Sequence, residues 1–154
     1  MSDSPIGVFD SGVGGLSVLA ALQAELPGER FIYFSDAANA PYGERGDAFV
    51  IERTLEIARQ LVSEHRIKAL VVACNTATAA GIGLLRAAYP DLPIVGVEPA
   101  LKPAAAATRT GHVGVLATRG TLASSKFKVL HDSLKTDSVR FSLMPCDGLA
   151  GAIE

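Results

Sequence analysis

The sequence is poor in cysteine and has no tryptophan, and the scarcity of cysteine excludes whole classes of protein. Its 154 residues contain two cysteines, Cys74 and Cys146, which lie far apart in the chain. Two distant cysteines fit neither the disulfide framework of a small secreted protein nor a clustered metal site. We therefore expect two free thiols and no bound metal, with Cys146 in a structural role.

An excess of charge of one sign is also missing, as is any long apolar run. The 14 basic and 16 acidic side chains give a formal charge of −2, which offers no footprint for nucleic acid or an anionic membrane. No uncharged apolar segment approaches the roughly 20 residues that span a bilayer, and the first residues lack the basic region of a secretion signal. Because 49% of the residues are hydrophobic, a core is expected. These features predict a folded, cytoplasmic protein.

Short apolar segments rich in β-branched residues alternate with longer segments of helical periodicity. This alternation is typical of βαβ units, and continuous apolar segments indicate strands that helices cover on both faces. Strands are predicted at residues 6–9, 31–34, 70–73, 94–97 and 113–117, with a weaker sixth at 140–144. Helices are predicted at residues 16–23, 50–62, 76–88, 101–107 and 124–134. The predicted fold class is α/β, with a parallel sheet flanked by helices.

Polar residues cluster directly after the predicted strands. Ligands of open parallel sheets bind outside the carboxyl ends of the strands, so these residues are candidates for one shared site. They are Asp10 and Ser11 after the first strand, Ser35 and Asp36 after the second, Cys74, Asn75 and Thr76 after the third, and Thr118 and Thr121 after the fifth. The long polar loop at residues 36–47 carries Pro41-Tyr42-Gly43 and is a further candidate.

Three glycines after the first strand leave a nucleotide-binding loop open as one interpretation. A dinucleotide loop would place a further glycine where Ser17 stands, and Asp10 puts a carboxylate where the phosphate charge would lie. Asp36 follows at about the interval of a ribose-binding acid, which keeps this alternative open. A turn that needs glycine for its backbone conformation is the simpler interpretation.

Cys74 is the candidate nucleophile or base. It follows a buried strand and precedes a predicted helix, whose N-terminal dipole favours thiolate, so we expect a lowered thiol pKa. Asn75 and Thr76 offer hydrogen bonds to a ligand, which a core position would not need. An inert buried thiol is the alternative. No histidine follows a predicted strand, so a Cys–His nucleophilic pair is not predicted.

Five motifs in order give the chain a specific resemblance. They are GVFDSGVGGL from residue 7, PYG from 41, ACNTA from 73, GVEPA from 96 and GVLAT from 114. Together they resemble the glutamate racemases of the aspartate/glutamate racemase superfamily. The resemblance implies an isomerase that interconverts L- and D-glutamate without a cofactor and supplies D-glutamate for peptidoglycan. It also implies two cysteines, one from each of two similar α/β domains, on opposite faces of the substrate Cα.

The resemblance further implies roles for individual residues. Cys74 resembles the cysteine that serves one face of Cα, and Asp10 the carboxylate that assists it. Asp36 and Glu154 resemble acidic residues near the site. Substrate-holding positions of the family are matched by Ser11, Pro41, Tyr42, Gly43, Asn75, Thr76, Thr118 and Thr121. The implied partners are L- and D-glutamate, with no nucleic acid and no membrane.

One departure from the family pattern limits what is expected of this chain. The second cysteine of the family lies in a Gly-Cys-Thr-His motif, which this sequence lacks, and Cys146 is not followed by Thr-His. We therefore expect a first α/β domain at residues 1–97, an incomplete second domain at 98–154, and no useful racemase activity from the chain by itself. A homodimer, or pairing with a separate C-terminal part, is also expected. The alternative functions are a catalytically silent ligand-binding fragment and a nucleotide-binding α/β domain.

Overall fold

The computed structural model describes residues 3–136 and 138–153, and its secondary structure alternates between strands and helices along the chain. In chain order the elements are β1 (Ile6–Asp10), α1 (Gly15–Glu25), β2 (Phe31–Ser35), α2 (Asp47–His65), β3 (Ala69–Val72), α3 (Asn75–Ala88), β4 (Ile94–Gly96), α4 (Leu101–Ala107), β5 (His112–Ala117), α5 (Arg119–Ala123), α6 (Ser125–Leu134), β6 (Arg140–Pro145) and α7 (Leu149–Ile153). The predicted α/β fold class is confirmed.

The first four strands form one parallel sheet in the order β2-β1-β3-β4. β1 lies between β2 and β3, and all five of its residues are buried. Asp10 stands opposite Ser35 in the register of β1 and β2, while Phe9 stands opposite Val72 of β3. Because the strands are parallel and in register, the residues that follow β1, β2 and β3 emerge at the same edge of the sheet.

Helices cover both faces of this sheet, as the continuous apolar strands predict. On one face, α2 and α3 bury the larger part of the core, which includes Phe9, Leu61 and Leu85. On the other face, α1 packs against Val8 and Val71. The contacts from α1 come from Val18, Leu19 and Leu22.

The buried face of α1 is shifted from the predicted one. In the predicted helix over residues 16–23, the helical spacing of Leu16 and Leu19 predicts that both face the core, whereas Leu16 is 49% exposed. Gly15 takes the buried position at the start of the helix instead. In this short helix the position of the first turn, fixed at Gly15, decides which residues face the sheet.

β5 and β6 form a second, two-stranded parallel sheet. Its core is small and consists of Leu101, Val115 and Phe127, which come from α4, β5 and α6. Leu116 and Met144 stand opposite each other in the register and are 68% and 60% exposed. One side of this sheet is therefore packed and the other presents apolar side chains to solvent.

Several short elements were not predicted. They are α5, α7 and two 3-10 turns at Ala37–Asn39 and Tyr42–Glu44. Each has five residues or fewer, which is too short for a helical hydrophobic period to be read from sequence. None of the helices in the described residues is both long enough and apolar enough to cross a membrane.

Candidate active site

A cleft of about 650 Å³ opens between the carboxyl edge of the first sheet and β5. Seven of the residues predicted as site residues line it: Asp10, Ser11, Cys74, Asn75, Thr76, Thr118 and Thr121. The two sheets contribute to different sides of the cleft, because the first five of these residues follow β1 and β3 while the two later threonines follow β5. The topology thus brings together groups that are distant in sequence.

Cys74 lies at the N-terminus of α3, where it is the capping residue. Its Sγ accepts a hydrogen bond from the Ala77 N–H at 3.4 Å and lies 3.4 Å from the Ser11 Oγ. Burial nevertheless raises the pKa of the Cys74 thiol, the negative charge of Asp10 adds to the rise, and the hydrogen bonds from Ser11 and Ala77 oppose it. The expected lowering of this pKa was wrong because the cost of burying a thiolate exceeds the effect of the helix terminus.

Asp10 fills the glycine turn that follows β1. Its Oδ2 accepts hydrogen bonds from the N–H groups of Gly12 and Gly15, at 3.0 and 3.1 Å. Gly15 allows this close approach, because a Cβ at that position would lie 2.5 Å from the Asp10 Cβ. A phosphate would need the same N–H groups, so this geometry argues against the nucleotide-binding alternative.

Three threonine hydroxyls meet where the two sheets approach each other. The Oγ1 of Thr76 lies 3.2 Å from that of Thr118 and 3.5 Å from that of Thr121, and Thr118 donates to Thr121 at 3.0 Å. Thr118 also caps α5 by accepting the Thr121 N–H. Because each hydroxyl both donates and accepts, the cluster can turn its donors toward an anionic ligand without losing all of its internal bonds.

Asp36 lies beside this cleft in a buried ion pair and not among the residues that line the cleft. Arg53 donates to both of its oxygens, at 2.9 and 3.0 Å, while the Tyr42 hydroxyl donates at 2.6 Å and the Asn39 amide at 3.0 Å. Burial raises the pKa of Asp36, but the hydrogen bonds from Arg53, Tyr42 and Asn39 outweigh it, so the pKa lies below its usual value. Because both Asp36 oxygens already accept hydrogen bonds within the protein, this geometry argues against Asp36 as a ribose-binding residue.

The Pro41-Tyr42-Gly43 loop is held against both sheets. Tyr42 is buried, and its ring packs against Phe9 and Phe49. Burial and the neighbouring Asp36 carboxylate raise the pKa of its hydroxyl, which stays protonated and donates. The Gly43 backbone contacts Thr118 so closely that a Cβ would lie 2.2 Å from the threonine Cγ2. The loop therefore borders the cleft at the threonine cluster.

No three His, Cys, Asp or Glu side chains within the described residues come together as metal ligands would. Both cysteines are free thiols. Cys146 is half-buried and its thiol donates weakly to the Met144 carbonyl oxygen at 3.6 Å, away from the cleft lining.

Comparison with known proteins places these features in a family. Residues 6–154 match the sequence profile of the Asp/Glu/Hydantoin racemases, which accounts for almost the whole chain. The chain belongs to this family. Among its relatives, the glutamate racemase of Pseudomonas syringae is 56% identical over 99% of the chain, and that of Ectopseudomonas mendocina is 55% identical over 99%. The chain spans 54% and 57% of these two proteins, which is a little over half of their length.

Solved structures of the family have the same fold. Escherichia coli glutamate racemase, in complex with L-glutamate and the activator UDP-MurNAc-Ala, superposes with a TM-score of 0.86 at 39% identity. The Bacillus anthracis isoform RacE1 gives a TM-score of 0.82 at 36% identity. The alignments cover 95% and 97% of this chain, and 55% and 56% of those proteins.

Two groups near the site were not found from the sequence. Arg53 bonds to Asp36, and Tyr33 bonds to the turn that holds Asp10. Ser35, which the sequence did indicate at the end of the second strand, bonds to the same turn. Arg53 lies inside an amphipathic helix and Tyr33 inside an apolar strand, so the pattern of each was already explained by secondary structure. Glu154, the remaining predicted acidic residue, lies outside the described residues.

Proposed function

We propose that this chain carries one half of a glutamate racemase site and that Cys74 exchanges the α-proton on one face of the substrate. The position of Cys74 supports this most directly, because its thiol lines the cleft beside Asp10 and Ser11. The glutamate racemases among the relatives supply the substrate class, since one solved family member holds L-glutamate.

The environment of the thiol suits proton transfer at carbon. An α-proton is only weakly acidic, so the thiolate that removes it must be strongly basic. Burial raises the thiol pKa and so gives a more basic thiolate. The same rise keeps the resting thiol protonated, ready to return a proton in the opposite direction. Asp10 takes part by its charge and its place beside the reacting sulfur.

The remaining polar groups are proposed to bind the substrate. The exposed Asn75 amide and the hydroxyls of Ser11 and Thr76 face the cleft from the first sheet, and Thr118 and Thr121 face it from the second. Hydrogen-bond donors fixed in this way would hold the carboxylates and stabilise negative charge that develops at Cα. Pro41, Tyr42 and Gly43 would shape the border of the pocket, with Asp36 holding Tyr42 in place.

The opposing acid is proposed to come from outside this chain. We place the end of the first domain near residue 97, since β1 to β4 form one sheet and β5 to β6 another, and take residues 98–154 as the start of the second domain. A complete protein of this kind would work in the cytoplasm and supply D-glutamate for peptidoglycan, with no cofactor needed for the proton transfers. The alternative is a ligand-binding fragment that keeps the cleft without catalysis.

Deuterium exchange at Cα tests the proposal on the chain itself. With one thiol in the cleft, a proton can leave and a deuteron can return on the same face. We expect the chain in deuterium oxide to exchange the α-proton of one glutamate enantiomer, which proton NMR detects as loss of the α-proton signal. The circular dichroism of the amino acid should stay unchanged. Binding of glutamate without exchange of either enantiomer would favour the silent ligand-binding alternative. Racemisation at a full enzymatic rate would require another acid within residues 1–154.

A pair of cysteine variants provides the matched control. Cys74→Ser should abolish the exchange, because a hydroxyl is far less acidic than a thiol and cannot supply the base. Cys146→Ser should leave the exchange unchanged, since that thiol lies outside the cleft lining. In a chimera that joins this chain to the remaining half of the P. syringae relative, the same two changes should abolish and preserve racemisation, respectively. Retained turnover in the Cys74→Ser chimera would contradict the assignment.

A further inference from the structure

Two side chains of β2 hold one backbone carbonyl in the turn after β1. The Tyr33 hydroxyl and the Ser35 hydroxyl each donate a hydrogen bond to the Gly12 carbonyl oxygen, both at 2.8 Å. A carbonyl oxygen has two lone pairs, and two side-chain donors here occupy both. Tyr33 and Ser35 are two positions apart in an extended strand, so their side chains lie on the same face and can reach the same acceptor.

The carbonyl that they hold belongs to a residue that also binds Asp10. The Gly12 N–H donates to the Asp10 Oδ2 at 3.0 Å, and the Gly15 N–H donates to the same oxygen at 3.1 Å. Glycine has the largest backbone freedom of any residue, and Gly12 has no side chain with which to anchor itself. Fixing its carbonyl oxygen therefore restricts the whole residue, including the N–H that faces the carboxylate.

Strand register and packing bring the same groups together. Ser35 stands opposite Asp10 in the parallel pairing of β1 and β2. A Cβ on Gly15 would meet the Asp10 Cβ at 2.5 Å and the Tyr33 hydroxyl at 2.9 Å, so these three residues are in close contact. The Asp10 side chain is 6% exposed and lines the cleft beside Cys74. A shift of the turn would therefore move the Asp10 carboxylate as well.

We infer that Tyr33 and Ser35 are positioning residues that hold the Asp10 carboxylate at its place in the cleft shared with Cys74 by anchoring Gly12. The catalytic meaning of this arrangement rests on the proposed function, but the arrangement itself can be tested without it. In the competing role, the two hydroxyls only satisfy a buried carbonyl and stabilise the fold. The two roles differ in one measurable respect. If the hydroxyls position Asp10, removing them changes the Cys74 thiol pKa only while Asp10 carries its charge.

The test measures the titration of the Cys74 thiol, because the negative charge of Asp10 raises its pKa. The chain is prepared with the Cys146→Ser change and isotope-labelled cysteine, so that NMR follows one thiol. The combined variant Tyr33→Phe with Ser35→Ala frees the Gly12 carbonyl from both donors. We expect the thiol pKa to fall by roughly 0.3 or more, toward the value found with Asp10→Asn, because the released carboxylate no longer keeps its fixed place beside the sulfur.

A double-mutant cycle separates positioning from stability. In the Asp10→Asn background, the same pair of changes should leave the thiol pKa unmoved, since no charge remains to be misplaced. Ser35→Thr, which keeps a hydroxyl, should leave the thiol pKa near the parent value, unlike Ser35→Ala, and Tyr33→Phe alone serves if the combined variant does not fold. An unchanged thiol pKa in the folded variants, or an equal shift with and without the Asp10 charge, would overturn the inference. Neither result depends on glutamate turnover, so failure here is distinct from failure of the proposed function.

Discussion

At the scale of single residues, the environment of Cys74 shows how burial and polar contacts compete. The Ala77 N–H and the Ser11 hydroxyl both favour the thiolate, yet burial and the Asp10 charge together raise the thiol pKa. The position of the cysteine at the helix N-terminus could be predicted from the sequence. The predicted shift of its thiol pKa, a lowering, was wrong. The helix terminus is a local property, whereas the depth of burial depends on how α1, α3 and β5 close around the cleft.

Gly15 provides a prediction at this scale. Gly15→Ala would place a Cβ 2.5 Å from the Asp10 Cβ, so either the carboxylate or the start of α1 must move. We expect a loss of about 1–3 kcal/mol in the free energy of unfolding, measured by urea denaturation, because overpacking a closed site has a cost of this order.

Gly14→Ala is the matched control for that change. A Cβ at Gly14 would lie 3.8 Å from the nearest Asp10 oxygen, which is an ordinary contact. The free energy of unfolding should then change by no more than about 0.5 kcal/mol. An equal loss of unfolding free energy in the two variants would contradict this explanation. It would show that alanine disturbs the backbone of the turn and not the space beside Asp10.

At the scale of elements, the ion pair between Asp36 and Arg53 joins α2 to the loop that carries Tyr42. Arg53→Met removes two hydrogen bonds from a carboxylate that is 5% exposed. The Arg53 side chain is itself 28% exposed, so solvent screens part of the effect. We expect the free energy of unfolding to fall by about 2 kcal/mol. Arg59→Met, which removes a solvent-exposed ion pair with Glu56, should leave the free energy of unfolding almost unchanged.

The pH dependence of stability gives a second measurement of the same ion pair. The pKa of Asp36 is lower in the folded chain than its usual value of 3.8, so its ionised form stabilises the folded state. This contribution is present in full above the unfolded pKa and is lost as the pH falls through the folded pKa. The Arg53→Met variant should therefore lose less stability than the parent chain when urea denaturation is repeated at pH values falling below about 4. Parallel pH profiles for the two proteins would contradict this role of Arg53.

The same elements show why part of the fold and of the site could be predicted. β1 and β3 are covered on both faces, so their sequences are continuously apolar and their polar successors stand out. Asp10 and Cys74 could be identified in this way. The bonds from Arg53 to Asp36 and from Tyr33 to Gly12 could not, because they depend on side-chain directions across neighbouring elements. Helix α5 was not predicted for a different reason. Its five residues include a glycine and are too few to show a helical hydrophobic period.

At the scale of the whole molecule, the open side of the β5–β6 sheet exposes apolar side chains that face each other in the register. Met144 stands opposite Leu116 in the register, and both side chains are more than half exposed. Exposed apolar side chains on a short sheet favour association with other apolar surfaces. We expect sedimentation of the chain to show self-association that increases with concentration, and Met144→Lys to reduce it. Val129→Lys, at a 72% exposed position on α6, is the control and should leave the sedimentation unchanged.

The Asp10 carboxylate in its glycine turn has a consequence for selectivity among small anions. Elsewhere, a strand, a glycine turn and a helix N-terminus form a pocket that a dissolved phosphate enters and leaves. Here the anion is covalently attached to the strand, so its effective concentration is fixed and a free phosphate would have to displace it from the N–H groups of Gly12 and Gly15. The turn is permanently occupied from within. The Asp10 side chain thus takes the place that an external anion would need, and replacing Asp10 with alanine would leave two N–H donors vacant for such an anion.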